Sequence, residues 1–188
     1  MSSQPHDTGS IMPFDGKFPQ FDETVFIDPS ARLIGEVILE REASLFPFAL
    51  LRADSDRIVV GERSVILDKV LIEAPKDWPV LIEQEALISH GVILHGCVVR
   101  ERAVVGIGAI VLDGAEIGRG SVIGSGSVVP PGMKVPEASL VLGIPGRVVK
   151  ALDEEAITRS REQWREAYEK SRKYLRLFPP IQMRGSKG

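Results

Sequence analysis

Two histidines five residues apart are the side chains best suited to chemistry in this sequence. His90 and His95 lie in the segment Ser-His-Gly-Val-Ile-Leu-His-Gly-Cys at residues 89–97. A neutral imidazole ligates metals, and it also acts as a general base near neutral pH. The spacing alone is equally compatible with two surface imidazoles on one wall of a β-structure. The third histidine, His6, lies near the N-terminus, and we expect it to take no part.

A six-residue period determines where these histidines must lie. An aliphatic residue returns at every sixth position from Leu81 to Val135, and a small residue mostly follows four positions later. Such hexapeptide repeats predict a parallel β-helix, in which each short wall points one bulky side chain inward. The aliphatic positions are Leu81, Leu87, Ile93, Val99, Val105, Val111, Ile117, Ile123, Val129 and Val135.

Earlier repeats extend the pattern back to Ile27, with slips at Ala53–Val59 and Ala74–Val80 that we interpret as corner loops. Three walls to a turn then give about six coils. If both slips leave the wall count intact, Arg52, Glu73 and His95 form a ladder on one wall of successive coils, about 4.8 Å apart. His90 falls on the adjacent wall and cannot reach the ladder within its own chain. A neighbouring subunit of a threefold oligomer could bring its His90 to the ladder and complete a site.

Composition narrows the class of protein. The net charge of −3 gives no indication of nucleic-acid binding, and aromatic residues make up only 6% of the chain. The single cysteine, Cys97, occupies a small inward position of the repeat, so we interpret it as a packed thiol. The sequence contains no apolar run long enough for a membrane span or a signal peptide, so we expect no membrane contact and a cytoplasmic location.

The pattern divides the chain into four parts. We expect a tail or extended lead-in at 1–24, the β-helix at 25–149, a C-terminal α-helix at 150–178 and a second tail at 179–188. Asp153-Glu154-Glu155 places acids where the positive end of a helix dipole favours them. One apolar stripe along that helix is predicted to pack on the solenoid or on a neighbouring subunit; it consists of Ile157, Trp164, Tyr168 and Leu175.

Several segments together resemble the γ-class carbonic anhydrase family, over about residues 13 to 178. They are LRAD at 51–54, SHGVILHGC at 89–97, VLDGAEIG at 111–118, GSVV at 126–129 and LGIPGRVVK at 142–150. The resemblance implies a left-handed β-helix, a homotrimer, and a metal held by three histidines at each subunit interface. Two ligand positions of the family match His90 and His95. Its arginine and aspartate, which tie subunits together beside the metal, match Arg52 and Asp54, and Asp68 also lies on a matched position.

Two departures from the family concern the centre itself. Glu73 stands where the family places its first ligand histidine, and Leu67 stands where it carries a glutamine thought to orient the metal-bound water. Two histidines and one glutamate are a legitimate zinc set with a fourth position left open. The same set suits Fe(II), and cobalt is a further alternative.

Three functions follow from these observations. The first is a zinc-dependent carbonic anhydrase that interconverts CO2 and bicarbonate, with His90, His95 and Glu73 as ligands. The second is a non-catalytic family member that binds a small anion or serves in assembly, with Glu73 paired to Arg52 on the surface. The third is a hexapeptide acyltransferase in which His90 or His95 is the general base.

Overall fold

The computed structural model describes residues 10–178, which form a parallel β-solenoid of about seven turns followed by one C-terminal helix. The predicted β-helix is therefore confirmed. The coil count exceeds the predicted six because the pattern continues past Val135 into one more strand, Ser139–Leu142. The handedness implied by the family resemblance stays a prediction. His6 and the outer parts of the two predicted tails, 1–9 and 179–188, lie outside the described residues.

Three walls of stacked parallel strands enclose the core. Wall 3 is built from β2 (Phe26–Ile27), β4 (Ser44–Leu45), β6 (Val65–Ile66), β9 (Leu87–Ile88), β12 (Val104–Val105), β15 (Val122–Ile123) and β18 (Ser139–Leu142). Wall 1 contains β7 (Leu71–Glu73), β10 (Ile93–His95), β13 (Ile110–Val111) and β16 (Val128–Val129). Wall 2 contains β8 (Val80–Ile82), β11 (Val98–Val99), β14 (Glu116–Ile117) and β17 (Lys134–Val135).

Two long strands join walls 1 and 2. β3 (Arg32–Leu39) and β5 (Leu50–Val60) pair with each other along both walls, with a register shift between Gly35 and Val37. The first half of β5 pairs with β7 and its second half with β8. The slip predicted as a corner loop at Ala53–Val59 is thus a bent, continuous strand, and that part of the prediction is wrong. β1 (Ile11–Met12) pairs with β3, and β19 (Arg147–Ala151) runs antiparallel to β18.

At the start of the long repeat, the side chains that face the core lie one position later in the sequence than predicted. Ile82, Ile88 and Leu94 are buried in the core, whereas Leu81 and Ile93 are half-buried on the outer face. From Val99 onward the predicted inward residues are correct. The observed and predicted inward positions coincide again because the coil from Leu94 to Val111 is one residue shorter than the coil from Val111 to Val129.

The C-terminal helix α1 (Glu154–Leu177) covers the outer face of wall 3. Asp153 caps it by accepting a hydrogen bond from the Ala156 N–H, as its acidic start predicts. Trp164 is buried against wall 3 and donates its indole N–H to the Arg63 carbonyl at 3.0 Å. Wall 3 therefore has apolar side chains on both faces, and the helix packs on its own solenoid. Among residues 10–178, no helix is long and apolar enough to cross a membrane.

Candidate functional site

The predicted ladder on wall 1 is present, and its register is simpler than expected. Glu73 pairs directly with His95 on one side and with Arg52 on the other. All three side chains point outward because each follows an inward core residue: Leu51, Ile72 and Leu94. The one-residue correction to the inward stack is what brings Glu73 and His95 into the same register.

The two carboxylate oxygens of Glu73 have different environments. Oε1 forms an ion pair with an Arg52 Nη atom, and Oε2 lies 3.9 Å from His95 Nε2. Arg52 also contacts Asp54 through its other Nη atom, at 3.1 Å. Burial lowers the pKa of Arg52, but the hydrogen bonds that Arg52 donates to Glu73 and Asp54 outweigh that effect and raise the pKa above its ordinary value. Arg52 therefore stays charged and holds one oxygen of Glu73 in place.

His95 is fixed from its far side by a residue that the sequence reasoning missed. Its Nδ1 atom is hydrogen-bonded to Asp113 Oδ1. Asp113 belongs to the next coil, at the corner after wall 1, where the Gly114 N–H donates to the Gly96 carbonyl. A proton on Nδ1 places the imidazole lone pair on Nε2, the atom that faces Glu73.

His90 also has an aspartate beside Nδ1, at a different corner. It lies between walls 3 and 1, and its Nδ1 atom is 2.9 Å from Asp68 Oδ2. The backbone stacks these residues, since the Gly91 N–H donates to the Asp68 carbonyl and the Gly108 N–H to the His90 carbonyl. The side chain of His90 is 51% exposed, so the ring is accessible to a partner or ligand.

The described donors fit a metal in kind, although one protomer does not complete the set. Metal-bound histidines almost always donate their other ring N–H to a carboxylate, a carbonyl or water. Both His90 and His95 have a carboxylate at Nδ1, and Glu73 Oε2 lies beside His95. Within residues 10–178, no three metal-binding side chains of a single chain are grouped closely enough to hold an ion. A centre formed from these residues therefore requires a second copy.

Cys97 takes no part in this chemistry. It is almost fully buried at an inward corner position, and burial raises the pKa of its thiol to about 12. The thiolate is therefore negligible near neutral pH, and the prediction of a packed thiol is confirmed.

A groove runs beside His90 between wall 3 and helix α1. Its volume is about 470 Å³. Leu87 and Val104 contribute apolar surface from the wall, Lys170 contributes a cation from the helix, and His90 lines it together with Asp68. The His90–Asp68 pair therefore lies next to a groove that a small molecule could occupy.

Known proteins resemble both the sequence and the fold. Residues 96–131 match the family described as "Bacterial transferase hexapeptide (six repeats)". A probable carbonic anhydrase from Methanocaldococcus jannaschii is 45% identical over 140 residues, which are 74% of this chain and 88% of that protein. A carbonic anhydrase from Geobacillus kaustophilus is 39% identical, covering 89% of this chain and 92% of that protein. The crystal structure of a putative acetyltransferase from Bacillus cereus superposes with a TM-score of 0.89 at 31% identity, over 92% of this chain and all of that one.

Proposed function

This chain belongs to the γ-class carbonic anhydrase-like family of hexapeptide-repeat proteins, and we propose that it forms a homotrimer with a metal centre at each interface for the reversible hydration of CO2. In this proposal Glu73 and His95 of one protomer and His90 of its neighbour are the ligands. Zinc is the metal that the family and the ligand types favour, with iron or cobalt as alternatives.

The observation that carries the proposal is that a carboxylate oxygen lies beside Nδ1 of both histidines. His95 lies on wall 1 and is hydrogen-bonded to Asp113 of the next coil, and His90 lies at the corner before wall 1 with Asp68 Oδ2 2.9 Å from its Nδ1. A carboxylate beside Nδ1 favours the tautomer that leaves Nε2 free, which is the state in which an imidazole binds a metal. A zinc ion held by these residues would supply Lewis-acid chemistry that makes water more nucleophilic.

The residues around the centre have separate tasks. Asp113 fixes the imidazole of His95 with Nε2 toward Glu73, and Asp68 lies beside Nδ1 of His90. Arg52 keeps one oxygen of Glu73 occupied, which leaves the other oxygen for the centre. Because Arg52 is cationic, it also offsets the extra negative charge that Glu73 brings in place of a neutral imidazole.

The exposed side chains support a neighbour at the corner that carries His90. Phe48 and Ile107 lie along this corner, and they are 64% and 56% exposed. The corner between walls 2 and 3 is different, since it carries charged residues such as Arg63 and Glu85 that pair with each other and with the helix. Exposed apolar residues beside an incomplete site are typical of a protein interface.

Metal analysis and a hydration assay test the proposal together. Protein purified without added metal is expected to contain about one metal ion per chain and to accelerate CO2 hydration. His95→Ala is expected to lose both, whereas Glu116→Ala, which removes a carboxylate from wall 2, keeps both. A wild-type trimer that binds no metal would leave the second function, a non-catalytic anion-binding or assembly role.

A second candidate is acyl transfer with His90 as the general base. The groove beside the His90–Asp68 pair supports it, and so does the name of the Bacillus cereus relative. In that reaction the imidazole would take a proton from an acceptor amine or hydroxyl as the acceptor attacks the thioester carbonyl; the C–S bond would then break, and the imidazolium would return the proton to the leaving thiolate. A thermal-shift titration with acetyl-CoA separates the two candidates, because a specific acyl-carrier site stabilises the folded state by mass action. No shift at millimolar acetyl-CoA would exclude this alternative.

A further inference from the structure

Trp78 is a large, half-exposed side chain that neither the core nor the proposed ligand set uses. Its exposed fraction is 47%. It belongs to the connection between β7 and β8, which begins directly after Glu73, and its backbone N–H donates to the Pro75 carbonyl at 3.0 Å. This hydrogen bond and the neighbouring Pro79 restrict the backbone on both sides of the indole.

The indole lies on two glycines of successive coils. A Cβ atom added to Gly96 would lie 2.8 Å from the Trp78 Cβ, and one added to Gly114 would lie 2.6 Å from its ring Cζ3. Both glycines have positive φ, 55° and 67°, so each is favoured by the turn and also leaves room for the indole. The near end of Trp78 therefore contacts one coil, and its far ring edge contacts the next.

These two glycines directly follow His95 and Asp113. The added Cβ of Gly96 would also meet Asp113 Oδ1 at 2.7 Å, so the carboxylate lies in the same corner as the indole. The side chains of His95 and Asp113 are 32% and 40% exposed. Water can therefore compete for their hydrogen bond wherever the corner is not covered.

We propose that Trp78 is a positioning residue for His95. It clamps the corners after His95 and Asp113 and excludes water from one side of their hydrogen bond, which keeps the imidazole in the Nδ1–H form. The consequence for metal binding rests on the proposed function. The orientation of the imidazole is a property of the metal-free protein, so it can be tested independently.

Long-range ¹H–¹⁵N NMR of metal-free, uniformly labelled full-length protein reports the tautomer of each histidine. His95, assigned with a His95→Asn variant, is expected to be in the Nδ1–H form. Trp78→Ala should lose this single form and show a mixture with the Nε2–H form, whereas Trp78→Phe, which keeps an aromatic cover, should retain it. Phe14→Ala is the matched control, because Phe14 has nearly the same exposure, 48%, in the segment between β1 and β2.

Trp78→Leu gives the same test if the alanine variant does not fold. Leucine keeps the Cβ contact at Gly96 but is too short to cover Gly114, so it should also give mixed tautomers. An unchanged Nδ1–H pattern in Trp78→Ala or Trp78→Leu would overturn the proposal. So would an equal loss in Trp78→Phe.

Zinc affinity, measured by chelator competition, links the positioning role to the centre. If the proposed function is right, Trp78→Ala should weaken zinc about 10-fold or more, at the low end of what outer-shell changes cost. Mixed tautomers in the variant combined with a wild type that binds no zinc would refute the metal centre but not the positioning role. Normal zinc affinity in a variant with mixed tautomers would refute the claim that positioning matters to the centre.

Discussion

Replacing Asp113 with alanine removes the carboxylate that holds Nδ1 of His95. The imidazole can then rotate or change its tautomer, and a metal must supply the free energy that fixes it. Outer-shell partners of metal-bound histidines are typically worth about 10–100-fold in affinity. Asp113 is 40% exposed, so water screens the interaction, and we expect a loss of about 10–30-fold. At about 1.4 kcal/mol per tenfold change, this corresponds to about 1.4–2 kcal/mol of binding free energy.

Competition between the purified protein and a chelator of known zinc affinity measures this loss directly. Glu116→Ala is the control, because it removes a carboxylate of similar exposure that pairs with Arg100 on wall 2, away from the ligand ladder. Metal-free Asp113→Ala should unfold near the wild-type temperature and Glu116→Ala slightly below it, since exposed ion pairs contribute about 0–1 kcal/mol. The reasoning is refuted if Asp113→Ala binds zinc like the wild type while His95→Ala does not bind it at all.

Three further changes test the ligand set, the register of the core and the ion pairs of Glu116. Glu73→His should raise the rate of CO2 hydration in a stopped-flow assay, because an imidazole restores the net charge of a three-histidine centre. An unchanged or lower rate would show that Glu73 is not what limits the chemistry. Ile82→Ala should lower the free energy of unfolding by about 2–5 kcal/mol, and Leu81→Ala by clearly less, because only Ile82 points into the core; equal losses in denaturant titrations would contradict the corrected register. Hydrogen bonds from Arg100 and Lys134 lower the pKa of the Glu116 carboxyl below its ordinary 4.5. The ionised carboxylate therefore stabilises the folded state above the unfolded pKa, and this contribution is lost as the pH falls through the lower folded-state pKa. The melting temperature of wild type should thus exceed that of Glu116→Gln at pH 7 and converge with it at acidic pH; a constant difference would argue against this linkage.

The six-residue period was enough to predict the solenoid, because a three-walled coil leaves that spacing in any sequence that forms it. The phase of the period was harder to read. Ile93 and Leu94 are both aliphatic, so the pattern does not say which one faces inward. The answer depends on a corner that is one residue short, where Gly96 adopts a φ of 55°. The positions of the histidines and glycines in the sequence do not reveal that the corner after Leu94 is one residue shorter.

The ladder of Arg52, Glu73 and His95 was predictable because it needed only a count of walls. Asp113 was missed because it lies at a corner, whereas His95 lies on a wall of the preceding coil. The repeat predicts which residues share a wall but not which corner side chains reach it. A signal was available in the sequence, since Gly96 and Gly114 each follow a polar residue, one of them His95 and the other Asp113. Two such polar-glycine steps in adjacent coils place their side chains at one corner.

The central claim is that each metal centre is shared by two protomers. Subunit complementation tests it most directly. His90→Ala and His95→Ala homotrimers should both lack bound zinc, because each lacks one ligand at every interface. In a cyclic trimer assembled from both variants, one interface joins the intact His95 of one chain to the intact His90 of the next. Refolding the two variants together should therefore restore zinc binding, at one ion per mixed trimer, and recover part of the CO2 hydration activity. Mixed trimers that bind no zinc, beside a wild type that binds it, would contradict the shared centre.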